Sequence, residues 1–208
     1  MKSRLLCTEL QMQYAQLILP GNCPEGIYLS AFENLDKWEG VIFVRRGYYQ
    51  GCILGFSISF PQNYPFQVPL VHFDKASIVH PLVNPSDDRL SLSFGFPSWD
   101  PHSDNVTRLL YFIKGIFKTY TLDKLNEGLV SNSEAWRLYQ FNRPVFAKLA
   151  AQCATVSSSS TTLYGRTSVA HANGDQEVEV KKKRGIPFRE LNETEVQTIR
   201  ESIFGVGE

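Results

Sequence analysis

The 208-residue chain balances 21 Lys and Arg against 21 Asp and Glu, so no global basic field exists to hold nucleic acid. Hydrophobic residues at 43% and aromatics at 12% supply a packed core and exclude a disordered chain. The length suits one domain of about 150 residues with an appendage, and two full domains would be cramped. Cys7, Cys23, Cys52 and Cys153 are irregularly spaced, with no Cys-x-x-Cys pair, which indicates neither a metal site nor a disulfide framework; no cofactor is implied. The first nineteen residues carry Lys2, Arg4 and Glu9 and lack the apolar run of a signal peptide or membrane span. A cytoplasmic protein with no membrane insertion is expected.

In chain order, Leu6, Leu10, Tyr14, Leu17 and Ile18 recur at helical spacing until Pro20-Gly21 stops the pattern, which predicts an amphipathic first helix. Pro24 to Leu29 reads as a turn into a short strand, and Val41–Val44 and Ile53–Phe60 are the next two strands. Leu54, Phe56, Ile58 and Phe60 alternate with small or polar residues, the mark of a sheet with one buried face. Pro61, Pro65 and Pro69 then forbid both helix and central strand, so residues 60–69 form a rigid corner before a fourth strand at Val71–Phe73 with His72 facing outward. This is an α+β pattern, a four-stranded antiparallel meander backed by helices. A buried helix is expected over Val106–Tyr120, capped by Asp104 or Asn105, and another from Asn132 to about Ala151 with a kink or break at Pro144. From residue 153 the Ser/Thr-rich composition and the run Lys181–Arg184 predict a flexible linker to residue 185. In residues 186–208, Asn192 and Glu195 read as a capping box before Val196, Ile199, Ile203 and Phe204, an apolar helical stripe ended by Gly205.

Several of these residues carry a more specific signal. Phe60-Pro61, Tyr64-Pro65-Phe66, the strand ending in Phe73 and then His80-Pro81, with Trp38-Glu39-Gly40 upstream and Trp99-Asp100-Pro101 downstream, resemble the ubiquitin-conjugating (E2) fold over residues 1–152. The resemblance implies a UBC-like domain and, in an active member, a cysteine that carries ubiquitin as a thioester. It needs a thiolate, since sulfur attacks near neutral pH and leaves readily to an amine.

That chemistry is missing from the stretch where the resemblance places it. After His80-Pro81, aligning with one extra loop residue puts Ser91 at the cysteine position, and aligning without it puts Leu90 there; no cysteine occurs between Cys52 and Cys153. Leu82 replaces the asparagine that follows His-Pro in the family and stabilises the oxyanion, and its side chain offers no donor. A serine would need a base, of which His80 is the one histidine close in sequence, and no Gly-x-Ser-x-Gly elbow frames Ser91. The first helix also presents Glu9, Gln11, Gln13 and Gln16 where active members offer a basic face to the activating enzyme. The degenerate site His80, Pro81, Leu82 and Ser91 is thus expected to catalyse nothing.

Gly26-Ile27-Tyr28, His80-Pro81-Leu82-Val83, Asn84-Pro85 and Phe96-Pro97-Ser98-Trp99 further resemble the fused-toes group of E2 variants. That resemblance implies an adaptor bound to Hook-type coiled-coil proteins, which link cargo to dynein in vesicle transport. A second reading is a ubiquitin-pathway cofactor that binds ubiquitin or a ligase without a thioester. Phe66 and Pro101 match family positions that contact ligases, although the Tyr64-Pro65-Phe66 unit could equally serve to pack the corner. The C-terminal stripe is the other candidate partner surface.

Overall fold

Burial with a period of two builds the sheet. In β3 (Ile53–Ser59), Leu54, Phe56 and Ile58 are buried, while the intervening residues lie half-buried on the opposite face. The structure, a computed structural model, describes residues 4–74, 78–164, 186 and 188–204, without the side chains of 32–34 and 204. The expected basic run Lys181–Arg184, the helix stop at Gly205 and the side chain of Phe204 lie outside the described residues. β1 (Ile27–Asn34), β2 (Lys37–Phe43), β3 and β4 (Leu70–Phe73) pair antiparallel in sequential order, which is the expected meander. Register places Ile27 against Ile42 and Ile42 against Leu54, so the core face is continuous across three strands. A Cβ on Gly40 would lie 2.4 Å from the Phe56 ring, so the ring can cross β2 only because residue 40 is glycine. Gly47 and Gly51, at φ of 85° and 91°, make the expected turn between β2 and β3.

Helix α1 (Arg4–Leu17) lays Leu6, Leu10 and Leu17 into the core and sets Tyr14 edge-on to Trp38 at 5.3 Å. Ile18, expected in the same stripe, is 68% exposed, because the helix has ended and Pro20 cannot continue it. The helix expected over Val106–Tyr120 is two: α2 (Val106–Gly115) and α3 (Thr119–Lys124). Glycine weakens the helix at residue 115, the chain bends while Ile116 and Phe117 stay buried, and Tyr120 emerges into solvent. Of the two candidate caps for α2, Asn105 holds the position and accepts the Arg108 N–H at 2.9 Å. Asp104 is buried, accepts the Asp100 N–H at 2.9 Å and pairs with Arg108.

Asn132 starts the next helix as expected, accepting the Ala135 N–H at 2.9 Å. The anticipated disruption near Pro144 is a full break. α4 (Ser133–Phe141) ends at Asn142, and the same residue caps α5 (Arg143–Ser157). Pro144 sits in the first turn of α5, where a missing N–H is tolerated. The helix then runs through the expected boundary at 152–153: Cys153, Ala154 and Ser157 are buried, and Ser157 Oγ accepts the Ile53 N–H at 3.2 Å. The Ser/Thr stretch therefore begins as ordered helix, continued by α6 (Ser160–Leu163), and not as linker. Its hydroxyls are satisfied locally, with Ser157, Ser158 and Ser159 donating to the Ala154 and Val156 carbonyls.

The capping box at the last helix, α7 (Glu193–Phe204), is present in both directions. Asn192 Oδ1 accepts the Glu195 N–H at 2.8 Å, and Glu195 Oε2 accepts the Asn192 N–H at 3.0 Å. Val196 is half-buried, while Ile199 and Ile203 are 41% and 65% exposed.

Candidate functional site

The corner after β3 sets the position of the site. Tyr64 is 1% exposed, stacked edgewise on Phe60 at 4.9 Å, and its hydroxyl donates to Gln13 Oε1 at 2.7 Å. The same Gln13 oxygen accepts the Val106 N–H at 3.0 Å, so one side chain of α1 ties the corner to the start of α2. Trp99 Nε1 donates to the Pro65 carbonyl at 2.6 Å and fixes the far wall. The Tyr64–Pro65 peptide is cis. Packing therefore accounts for Tyr64 but not for Phe66, which is 69% exposed: its N–H closes a turn onto the Asn63 carbonyl, and its ring leaves the core. Pro101 is half-buried.

Backbone N–H groups hold the four residues expected to form the degenerate site, His80, Pro81, Leu82 and Ser91. The Leu82 N–H donates to His80 Nδ1 at 3.0 Å, the Ser91 N–H donates to the Leu82 carbonyl at 2.7 Å, and the Ser131 and Asn132 N–H groups both donate to the Pro81 carbonyl at 2.9 Å. An acceptor Nδ1 leaves the proton on Nε2, which donates to the Ile116 carbonyl at 3.1 Å. His80 is wholly buried against Tyr49 and Phe117, and this desolvation pushes its pKa down to about 4. With both ring nitrogens bonded internally, His80 cannot serve Ser91 as a base.

Leu82 is 0% and Leu90 1% exposed, so both point into the core; Ser91, half-buried, faces an open groove of about 450 Å³. Val68, Pro69, Ser93 and Trp99 share in lining that groove, and none of its lining residues is a cysteine or a histidine. The side-chain neighbour of Ser91 Oγ is Ser93 Oγ at 3.4 Å, a contact that does not activate an alcohol. Cys52 and Cys153, far apart in sequence, meet in the core with their Sγ atoms 3.9 Å apart, and all four cysteines are free.

The buried neutral His80 makes stability fall in acid. Its folded pKa of about 4 lies below the ordinary 6.5, so its contribution is complete above pH 6.5 and is lost as pH falls through that window towards 4. The loss attributable to this residue is about 3 kcal/mol. In an NMR titration the His80 imidazole should keep its neutral signature at pH 5; a midpoint near 6.5 would show that the ring reaches solvent.

Gln13 is the residue of this region that the sequence reading placed wrongly, on the polar face of α1. Its signal was available: 6, 10, 13 and 17 repeat at four, three and four residues, and these four positions are the buried ones of α1.

Residues 9–154 match the family model described as Ubiquitin-conjugating enzyme, and the chain belongs to that family. It is similar to the Protein crossbronx homolog of Anopheles gambiae, 37% identical over 142 residues that cover 67% of this chain and 61% of that protein. Protein crossbronx of Drosophila virilis is 32% identical over 167 residues, covering 75% of this chain and 67% of the relative. The AKT-interacting protein of Salmo salar is 34% identical over 104 residues, 49% of this chain and 35% of that protein. Within the family the chain is thus an E2 variant resembling AKT-interacting protein, the fused-toes protein. It spans less than two thirds of the length of the Anopheles relative. No helix among the described residues is long and apolar enough to cross a membrane.

Proposed function

We propose that the chain is a non-catalytic E2-like adaptor of the cytoplasm, a subunit of a fused-toes and Hook-type complex in dynein-linked vesicle transport. The observation that carries the non-catalytic half is the sealed His80, whose two nitrogens are spent on Leu82 and Ile116, leaving Ser91 in an open groove lined by no histidine or cysteine, with its Oγ bonded to Ser93 Oγ. The adaptor half draws on the likeness to AKT-interacting protein, a relative named for a protein partner. It draws also on α7, whose Ile199 and Ile203 offer an apolar stripe of the kind a coiled-coil partner buries.

A second reading, a cofactor that binds ubiquitin or a ligase without a thioester, is favoured by one feature: Phe66 holds a large aromatic surface in solvent at a rigid corner, next to Pro65, whose carbonyl accepts from Trp99, two residues before Pro101. Affinity purification of the tagged full chain with mass spectrometry separates the two readings. The expected result is recovery of coiled-coil adaptors, lost on Ile199→Asp/Ile203→Asp and kept on Phe66→Ala. Recovery of ubiquitin or ligases, lost on Phe66→Ala, would replace the adaptor reading with the second one.

A further inference from the structure

The sheet has a second face, turned away from the core, and one end of it is apolar. Register places Tyr28 opposite Val41 and Phe43 opposite Ile53, with the Tyr28 and Phe43 rings edge-on at 5.7 Å. The outer face of an antiparallel sheet is ordinarily polar, and further along the same face it is, with Ser30, Glu39, Ser57 and His72. At the apolar end Val41 is 4% exposed although it points away from the core, and Phe43 and Ile53 are half-buried, while Tyr28 at the edge is 57% exposed.

What lies on it is the chain's own tail. The Phe188 ring stands 6.3 Å from Phe43 at 70°, and Ile186 and Phe188 are half-buried while residues 189–194 are exposed. The next residue, Arg189, forks onto Glu195 at 2.8 and 2.6 Å, and Glu195 closes the capping box of α7. Phe188 on the sheet and the first turn of α7 are therefore linked by a short, hydrogen-bonded stretch.

We propose that the outer end of the sheet, Tyr28, Val41, Phe43 and Ile53, is a docking surface for the chain's own Phe188, with Ile186 beside it. The seat holds α7 beside the sheet and turns its Ile199 and Ile203 outward for an amphipathic partner helix. The reasoning is energetic. A twelve-residue helix is marginal alone in water, and seating the preceding aromatic residue orders its start before a partner arrives. Covalent attachment raises the effective concentration of the segment to the order of millimolar, so a weak seat is still occupied. The outward display of α7 rests on the adaptor reading above; the seat itself does not.

The test is ¹⁵N relaxation on the full chain and on Phe188→Ala and Phe43→Ala. In the unmodified chain α7 amides should relax with the core, with order parameters of about 0.85; either substitution should lower them below about 0.6 and shift the Tyr28 and Ile53 resonances, while α1 and α2 stay unchanged. Freely moving α7 amides in the unmodified chain, or substitutions that change nothing, overturn the proposal. So do Tyr28 shifts that vary with protein concentration, since those would place a second copy's segment on the sheet. If relaxation behaves as expected but coiled-coil adaptors are never recovered, the seat stands and the adaptor reading fails.

Discussion

Ser91→Cys will not turn this chain into a working ubiquitin carrier, and the unsubstituted chain will form no thioester at all. The groove can accommodate a thiol at residue 91, but transfer also needs a donor for the developing oxyanion, and losing one such donor typically costs about 10²- to 10³-fold in rate. The expected donor position is occupied by Leu82, and the structure makes this defect deeper than a change of side chain. Residue 82 is 0% exposed and faces the core, and its N–H is already given to His80 Nδ1. An asparagine introduced there would bury its amide and not reach the groove, at a stability cost of about 1–3 kcal/mol for the unpaired polar group. Ser91→Cys/Leu82→Asn should therefore discharge ubiquitin no faster than Ser91→Cys alone. The assay is incubation with activating enzyme, ATP and ubiquitin, followed by discharge to free lysine. A reductant-sensitive adduct on the unsubstituted chain, or rescue by the double variant, would defeat this account.

Tyr64→Ala should destabilise the fold by about 4 kcal/mol, in the range for large-to-small changes at a buried aromatic, and lower the melting temperature by about 10 °C. The ring fills the space between Phe60 and Trp99, and the hydroxyl is bonded to Gln13. Tyr64→Phe should cost only about 1 kcal/mol, since Gln13 Oε1 keeps the Val106 N–H as a donor. Gln13→Ala should cost more than Tyr64→Phe, because it orphans two donors at once, the Tyr64 hydroxyl and the Val106 N–H. In a double-mutant cycle Tyr64→Phe and Gln13→Ala should be non-additive. Denaturation midpoints measure all four variants; a Tyr64→Ala midpoint within 1 kcal/mol of the unsubstituted chain would mean that the corner is not held by this residue.

Much of this was written into local pattern. The period of two in Leu54, Phe56 and Ile58 fixed β3 and its buried face, and three prolines fixed the corner, because both constraints act within a few residues. The absence of a thiol in the stretch around Ser91 needed no coordinates either, since no cysteine occurs between Cys52 and Cys153. What the sequence left open were questions of facing and reach. Leu90 and Ser91 were alternatives along the same wall of the groove until the pairing of Val83 with Leu90 buried Leu90 and left Ser91 half-buried. Tyr64 and Phe66 both adjoin Pro65, yet one is buried and the other is not: Tyr64 packs between Phe60 and the distant Trp99 and bonds the distant Gln13, whereas Phe66 is 69% exposed. The serines after residue 156 had the composition of a linker, but Ser157 ends a helix whose register brings its hydroxyl to the Ile53 N–H, 104 residues away. A hydroxyl or a ring has no fixed environment in a sequence; the long-range contacts that supply its partner form only when the sheet and helices close on each other, and that closure decided which residues are core and which are left for partners.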